Sequence, residues 1–170
     1  YTGTVQAGSF GWDGDLYAPI VYLDGSYLLR DNGKKKITFG VTDLTEQVKW
    51  TNKEGYLPCF VSEYSKDGME YKIENFADEV TIDGNRYEIA YSRMTVTNNT
   101  EDTLLLPSVS SDLVPLNDAA KFTVTAAPGE TVVRDYGIGA DRFGGGYAFP
   151  TAQQLRALGG WDDHYEHMKS

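Results

Sequence analysis

The sequence predicts an all-β protein: an antiparallel β-sandwich, of the jelly-roll or supersandwich type, followed by a short C-terminal helical linker. Three observations carry this expectation. Turn dipeptides recur through the chain, with Asp-Gly at Asp13, Asp24, Asp67 and Asp83, Asn-Gly at Asn32, and Pro128-Gly129; such residues accept the positive φ of tight hairpin turns. The short segments between them alternate apolar and polar residues with the period of a half-buried strand. Composition agrees, since 18 Gly and 12 Tyr against three Met favour strands and turns over a helical bundle.

Taken in order, Ile37, Phe39 and Val41 point to one side of an early strand. Met69, Tyr71 and Ile73 point one way further on, with Glu70, Lys72 and Glu74 on the opposite side. Tyr87, Ile89 and Tyr91 then share a face, but beyond them Met94 and Val96 carry the apolar pattern. The phase has switched, so a β-bulge near Ser92 or Arg93, or a strand that changes sheets, is expected there. Phe122, Val124 and Ala126 repeat the period-two pattern. In all, roughly nine to eleven strands are expected at sandwich spacing. The strand–helix alternation of a parallel nucleotide-binding sheet is not visible.

The pattern changes after Gly139. Phe143-Gly144-Gly145-Gly146-Tyr147 reads as a hinge, and Thr151 is placed to cap a short helix through Ala152, Leu155 and Leu158 that Gly159-Gly160 ends. Trp161-Asp162-Asp163 starts a second helix, with both acids suited to its positive end. The expected organisation is therefore a β-sandwich domain over residues 1–140 and a glycine-rich linker with the start of a helical segment over 141–170, the latter outside the sandwich core. The opening at Tyr1 and the stop at Ser170 inside a helical pattern are expected of a piece of a longer protein.

The 170 residues carry 15 Lys plus Arg against 25 Asp plus Glu, a net charge of −10 and a pI of about 4.6. That balance argues against nucleic acid and against an anionic membrane surface as partners. Cys59 is the single cysteine, so no intrachain disulfide forms. No run of eighteen apolar residues is present to cross a membrane as a helix.

Several residue groups are candidates for chemistry. His164 and His167 share a helical face beside Glu166, and read as solvent-facing or linker-packing residues rather than a metal pair. Gly144-Gly145-Gly146 lacks the Lys-Ser/Thr of a phosphate loop, and Gly137-Ile138-Gly139 is an equally weak match. Asp13 and Asp15 flank a turn and are the candidate ligands of a structural calcium. Neither a serine-nucleophile motif nor a distinct pair of catalytic acids stands out. Trp12, Tyr17, Trp50, Phe143 and Tyr147 are the candidate glycan-binding residues, because an aromatic face stacks on the apolar C–H face of a sugar. Asn98-Asn99-Thr100 matches the glycosylation sequon but reads as a turn.

Tyr87 to Thr100 leads into Leu104-Leu105-Leu106-Pro107, then Ala127-Pro128-Gly129-Glu130-Thr131-Val132 and a strand ending at Asp135-Tyr136. The chain leaves through Phe143 and Trp161-Asp162-Asp163-His164-Tyr165-Glu166-His167-Met168. This arrangement resembles the β-sandwich domain that precedes the (α/α)6 barrel in bacterial six-hairpin glycosidases. The resemblance covers roughly the second half of the chain. It implies a non-catalytic accessory module, secreted or periplasmic, that binds glycan or supports a glycoside hydrolase domain of the same polypeptide. The catalytic acids would lie beyond Ser170. A neutral plant polysaccharide is the expected ligand, since uronates would meet like charge. The alternative is an extracellular structural or adhesion sandwich with protein partners, which would expose an apolar patch.

Overall fold

The computed structural model describes residues 6–9, 20–22, 24–28, 36–41, 48–52, 59–140 and 150–169. Among them are twelve strands and three helices. The N-terminal strands are β1 (Gln6–Ser9), β2 (Ile20–Tyr22), β3 (Tyr27–Leu28) and β4 (Lys36–Ile37), which form a four-stranded sheet in that order. The main sheet is built from β5 (Lys49–Asn52), β6 (Phe60–Lys66), β7 (Met69–Ile82), β8 (Asn85–Asn98), β10 (Val114–Pro115) and β12 (Thr131–Ala140), in the order β10-β12-β8-β7-β6-β5. A two-stranded ribbon joins β9 (Leu104–Leu105) to β11 (Thr125–Ala126). Helix α1 (Asp118–Phe122) lies between β10 and β11, and α2 (Ala152–Ala157) and α3 (Trp161–Lys169) follow β12. Every strand pair is antiparallel, as the sequence leads one to expect of an all-β chain. The extra strands beyond the expected number are two-residue pairings too short to leave a pattern.

The Asp-Gly dipeptides make the turns they encode. Asp67-Gly68 joins β6 to β7 and Asp83-Gly84 joins β7 to β8, with Asp67 at φ 52° and Asp83 at φ 50°. Positive φ at both turn residues matches the twist of the flanking strands. At Pro128-Gly129, Glu130 N–H donates to Ala127 O at 3.0 Å to start β12.

Two expectations about the strands are corrected. No bulge interrupts β8: its register runs unbroken against β7 from Met69↔Asn98 to Ile82↔Asn85, and against β12 from Thr131↔Thr97 to Ala140↔Glu88. The phase switch arises because the two halves of these 14-residue strands bury opposite faces. Phe122 and Val124 are not strand positions. Phe122 ends α1 and is 75% exposed, and Val124 is 64% exposed. Asn117 explains α1, since its Oδ1 accepts from Ala120 N–H at 3.0 Å while its Nδ2 donates to Val133 O at 3.0 Å.

One face of the main sheet buries Tyr71, Ile73, Ala77, Ala90, Met94, Val96, Val132, Tyr136 and Ile138 together with Tyr27, Ile37 and Phe39 of the N-terminal strands. A polar link crosses this layer. Asn75 Nδ2 donates to Gly25 O at 2.7 Å and Ser92 Oγ donates to Asn75 Oδ1 at 2.7 Å. Gly25 is required there: its φ is +86°, and a Cβ would lie 2.8 Å from Ile73 Cβ.

The other face buries Phe76, Val80, Ile89 and Tyr91 under Leu155 of α2 and Trp161, Tyr165 and Met168 of α3. The C-terminal helices thus form a second core instead of lying outside one. Their ends follow the sequence. Thr151 Oγ1 accepts from Gln154 N–H at 3.1 Å while Gln154 Oε1 accepts from Thr151 N–H at 2.9 Å, a complete capping box. Asp163 Oδ2 accepts from Gly160 N–H at 3.0 Å at the start of α3.

Candidate functional site

The main sheet presents two adjacent zones on its helix-bearing face. The first is the seat of α3. Phe76 and Tyr91, cross-strand partners on β7 and β8, stack with centroids 5.5 Å apart. Trp161 meets the Phe76 ring edge-on at 5.2 Å and stacks on Tyr165 at 5.1 Å. Gly137 is the cross-strand partner of Tyr91 on β12. Gly137-Ile138-Gly139 lies within β12, with Ile138 in the first core.

Two polar fastenings flank this stack. Arg93 Nε and Nη2 donate to the two oxygens of Asp135, its cross-strand partner, at 2.7 and 3.0 Å. Arg93 Nη1 and Nη2 donate to the two oxygens of Asp162 at 3.1 and 3.0 Å. The guanidinium carbon lies 4.4 Å from the centroid of the Trp161 ring. The Asp135 hydrogen bonds push the Arg93 guanidinium above its ordinary value, and those to Asp162 add to this against the opposing cost of burial. Arg93 is thus a permanent cation bridging sheet and helix.

The second fastening is Asp78, a fully buried carboxylate of β7. His164 Nδ1–H donates to its Oδ2 at 2.8 Å, and His167 Nδ1–H donates to Oδ1 and Oδ2 at 2.7 and 2.9 Å. His164 also stacks on Tyr91 at 4.3 Å. Burial, and then the Asp78 charge, pushes the Tyr91 hydroxyl above its ordinary range. The shared helical face of the two histidines was legible in their spacing, but Asp78 lies 86 residues from His164 and nothing local marks it. His164 is buried and packs the helix on the sheet, the linker-packing role of the two expected, whereas the His167 side chain is 61% exposed. Among the described residues no group of three His, Cys, Asp or Glu side chains is arranged to hold a metal ion.

Beyond Arg93, among the described residues, the same face is left open. Glu63 and Ser65 of β6, Glu70 and Lys72 of β7, and Thr95 and Thr97 of β8 line an open cavity of about 390 Å³. Glu63, Lys72 and Thr95 form one row across the strands, and Ser65, Glu70 and Thr97 the next. Thr97 and Thr131 share a hydroxyl hydrogen bond of 2.9 Å at its border. Glu74, between this zone and the seat, is buried opposite Arg93 instead of pointing to solvent as its alternation implies.

Of the residues nominated for glycan stacking, Trp50 faces the opposite side of the sheet. It stacks on Phe60 at 5.5 Å against the first core, and its Nε1 is buried without a hydrogen-bond partner. It is half-buried there. Trp12, Tyr17, Phe143 and Tyr147, the calcium candidates Asp13 and Asp15, and the Gly144-Gly145-Gly146 hinge lie outside the described residues. Asn98 of the sequon is buried and occupied: its Nδ2 donates to Asp102 O and Ala126 O, and its Oδ1 accepts from Thr100. It ends β8, and its side chain closes the turn that follows. No family model matches this chain, and no curated protein or solved structure is significantly similar to it.

Proposed function

We propose that the chain is a non-catalytic accessory module of a carbohydrate-active enzyme, secreted or periplasmic, with a β-sandwich of the jelly-roll or supersandwich type. In this reading it supports an adjoining glycoside hydrolase domain and holds glycan. The observation that carries it is the seat of α3. The helical stretch that carries the glycosidase resemblance is fixed to the sheet by an aromatic stack, a doubly bidentate arginine and a shared buried carboxylate. A β-module that orients a helical neighbour needs such a rigid joint, because a loosely tethered helix would transmit no orientation.

The test has two arms. The reading frame beyond Ser170 should continue into a helical domain carrying paired acids, and a stop codon there would sink the supporting role. The purified chain should release no reducing sugar from plant polysaccharides; sustained turnover would overturn the non-catalytic assignment.

A second reading, a structural or adhesion module with protein partners, draws on one feature. Leu105 on β9 is 77% exposed, and Phe122 and Val124 lie close by in sequence to its partner strand β11 with comparable exposure. Self-association that Leu105→Ser abolishes, seen by light scattering, would favour that reading.

A further inference from the structure

We propose that the open cavity on the helix-bearing sheet face is a glycan groove, occupied by a segment of a neutral oligosaccharide lying across β6, β7 and β8 beside α3. The inference rests on the accessory-module reading and names the site within it.

The lining residues choose the ligand class. Glu63 and Glu70 supply carboxylates that each accept from two hydroxyls, Lys72 supplies an ammonium donor, and Ser65, Thr95 and Thr97 both donate and accept. These are the partners a polyhydroxylated ring uses. Neighbouring strands lie about 4.8 Å apart, so successive side chains in a row reach across a span comparable with one pyranose ring. A volume of about 390 Å³ falls within the range of small-molecule sites.

Charge selects among sugars. Two carboxylates against one ammonium leave the groove slightly negative, in a chain of net charge −10, so a uronate or sulfated polymer meets repulsion. A protein partner lacks an anchor here. The hot spots of protein interfaces are buried aromatic or arginine side chains, whereas Tyr64 and Tyr71, the aromatics at the groove, are 6% and 8% exposed and commit their rings to the first core. The ligand is therefore held by hydrogen bonds from hydroxyl, carboxylate and ammonium groups, with the Arg93–Asp162 bridge marking the end where α3 begins.

Affinity electrophoresis of the whole chain in gels containing xylan, mixed-linkage β-glucan, galactomannan or polygalacturonate tests the assignment. Retention is expected on at least one neutral polymer and not on polygalacturonate. The double variant Lys72→Ala, Glu63→Gln changes two side chains outside both cores, so its melting temperature should stay near that of the parent while its affinity falls about tenfold or more. Thr81→Ala, also exposed on this sheet but outside the groove, should bind like the parent. Undiminished binding by the double variant would overturn the groove and leave the accessory-module reading intact. Retention on none of the polymers would overturn the groove and reduce that reading to domain support. Preferential retention on polygalacturonate would refute the neutral ligand.

Discussion

On one face of β7 and β8, Tyr71, Ile73, Met94 and Val96 meet the N-terminal strands mainly through side-chain packing, with one polar link from Asn75 to Gly25. On the other, Phe76 and Tyr91 meet α3 across a border of charge: Arg93 between Asp135 and Asp162, and Asp78 beneath two histidines. Apolar burial tolerates small adjustments of volume and angle. Bidentate pairs do not, because each hydrogen bond fixes a direction as well as a distance. The sheet therefore holds its first partner mostly by buried area and its second by directed charged pairs as well. A helix held by aromatic contact alone could slide or rotate on the sheet. Fastened near its start by Asp162 and further along by His164 and His167, α3 cannot.

The sharpest way to break the second face is Trp161→Ala. It removes a fully buried ring, its stack on Tyr165, its edge contact with Phe76 and the cation–π contact of Arg93. A loss of about 3–5 kcal/mol is expected in the denaturant midpoint. Met94→Ala should cost about 2–5 kcal/mol on the first face by the same measurement. If the two faces differ as argued, hydrogen exchange in Met94→Ala will leave α3 protected relative to the sheet, whereas Trp161→Ala will expose α3 selectively.

Next is Asp78→Asn. An amide removes the negative charge the two imidazoles share and puts an NH2 donor where one of their acceptor oxygens stood, so the charge-assisted hydrogen bonds are lost. About 2–3 kcal/mol should be lost in the midpoint, with faster exchange in the second half of α3. Equal exchange throughout the helix would contradict the fastening role of Asp78.

Alkaline titration probes both faces at once. Burial pushes Tyr27 on the first face and Tyr91 on the second above the ordinary value of 10.0. A group raised in the folded state contributes stability that is complete below its unfolded value. Stability should therefore hold steady up to about pH 10 and decline above it, as the unfolded chain gains tyrosinate that the folded chain resists. Unfolding midpoints that stay level well above pH 10, alongside early tyrosinate absorbance, would contradict the burial of these hydroxyls.

The smallest effect separates the two ends of the Arg93 bridge. The Asp162 side chain is 76% exposed and that of Asp135 is 8% exposed. Asp162→Ala should cost under about 1 kcal/mol, as solvent-screened pairs do. Asp135→Ala, which leaves the guanidinium without its buried partner, should cost about 3 kcal/mol. Equal costs in urea titrations would remove the distinction between a sheet-side anchor and a helix-side latch.

Much of the scaffold was legible because it is local. Hairpin turns need positive φ, and Asp67-Gly68 and Asp83-Gly84 supply it wherever the chain lies. Thr151 with Gln154 closes a capping box from within four residues. Alternation revealed that Met69, Tyr71 and Ile73 share a buried face. It misled at Phe122 and Val124, where Asn117 starts a helix and the following segment runs exposed. It also misled at Ser92, because a change in phase looks the same whether a strand bulges or its two halves bury opposite faces. Tryptophan at position 50 reads as core filler sooner than as a sugar platform, and it packs half-buried on Phe60.

Sequence by itself determined an acidic, antiparallel all-β chain with two short helices at its C-terminal end, since turn chemistry, strand period and helix caps act within a few residues. Tertiary structure alone decided that those helices build a second core, that His164 and His167 converge on Asp78, and that Arg93 joins Asp135 to Asp162. These contacts span 42 to 89 residues of chain. They exist because the pairing of β7, β8 and β12 brings distant side chains to one face, and no local pattern encodes which strands will lie side by side.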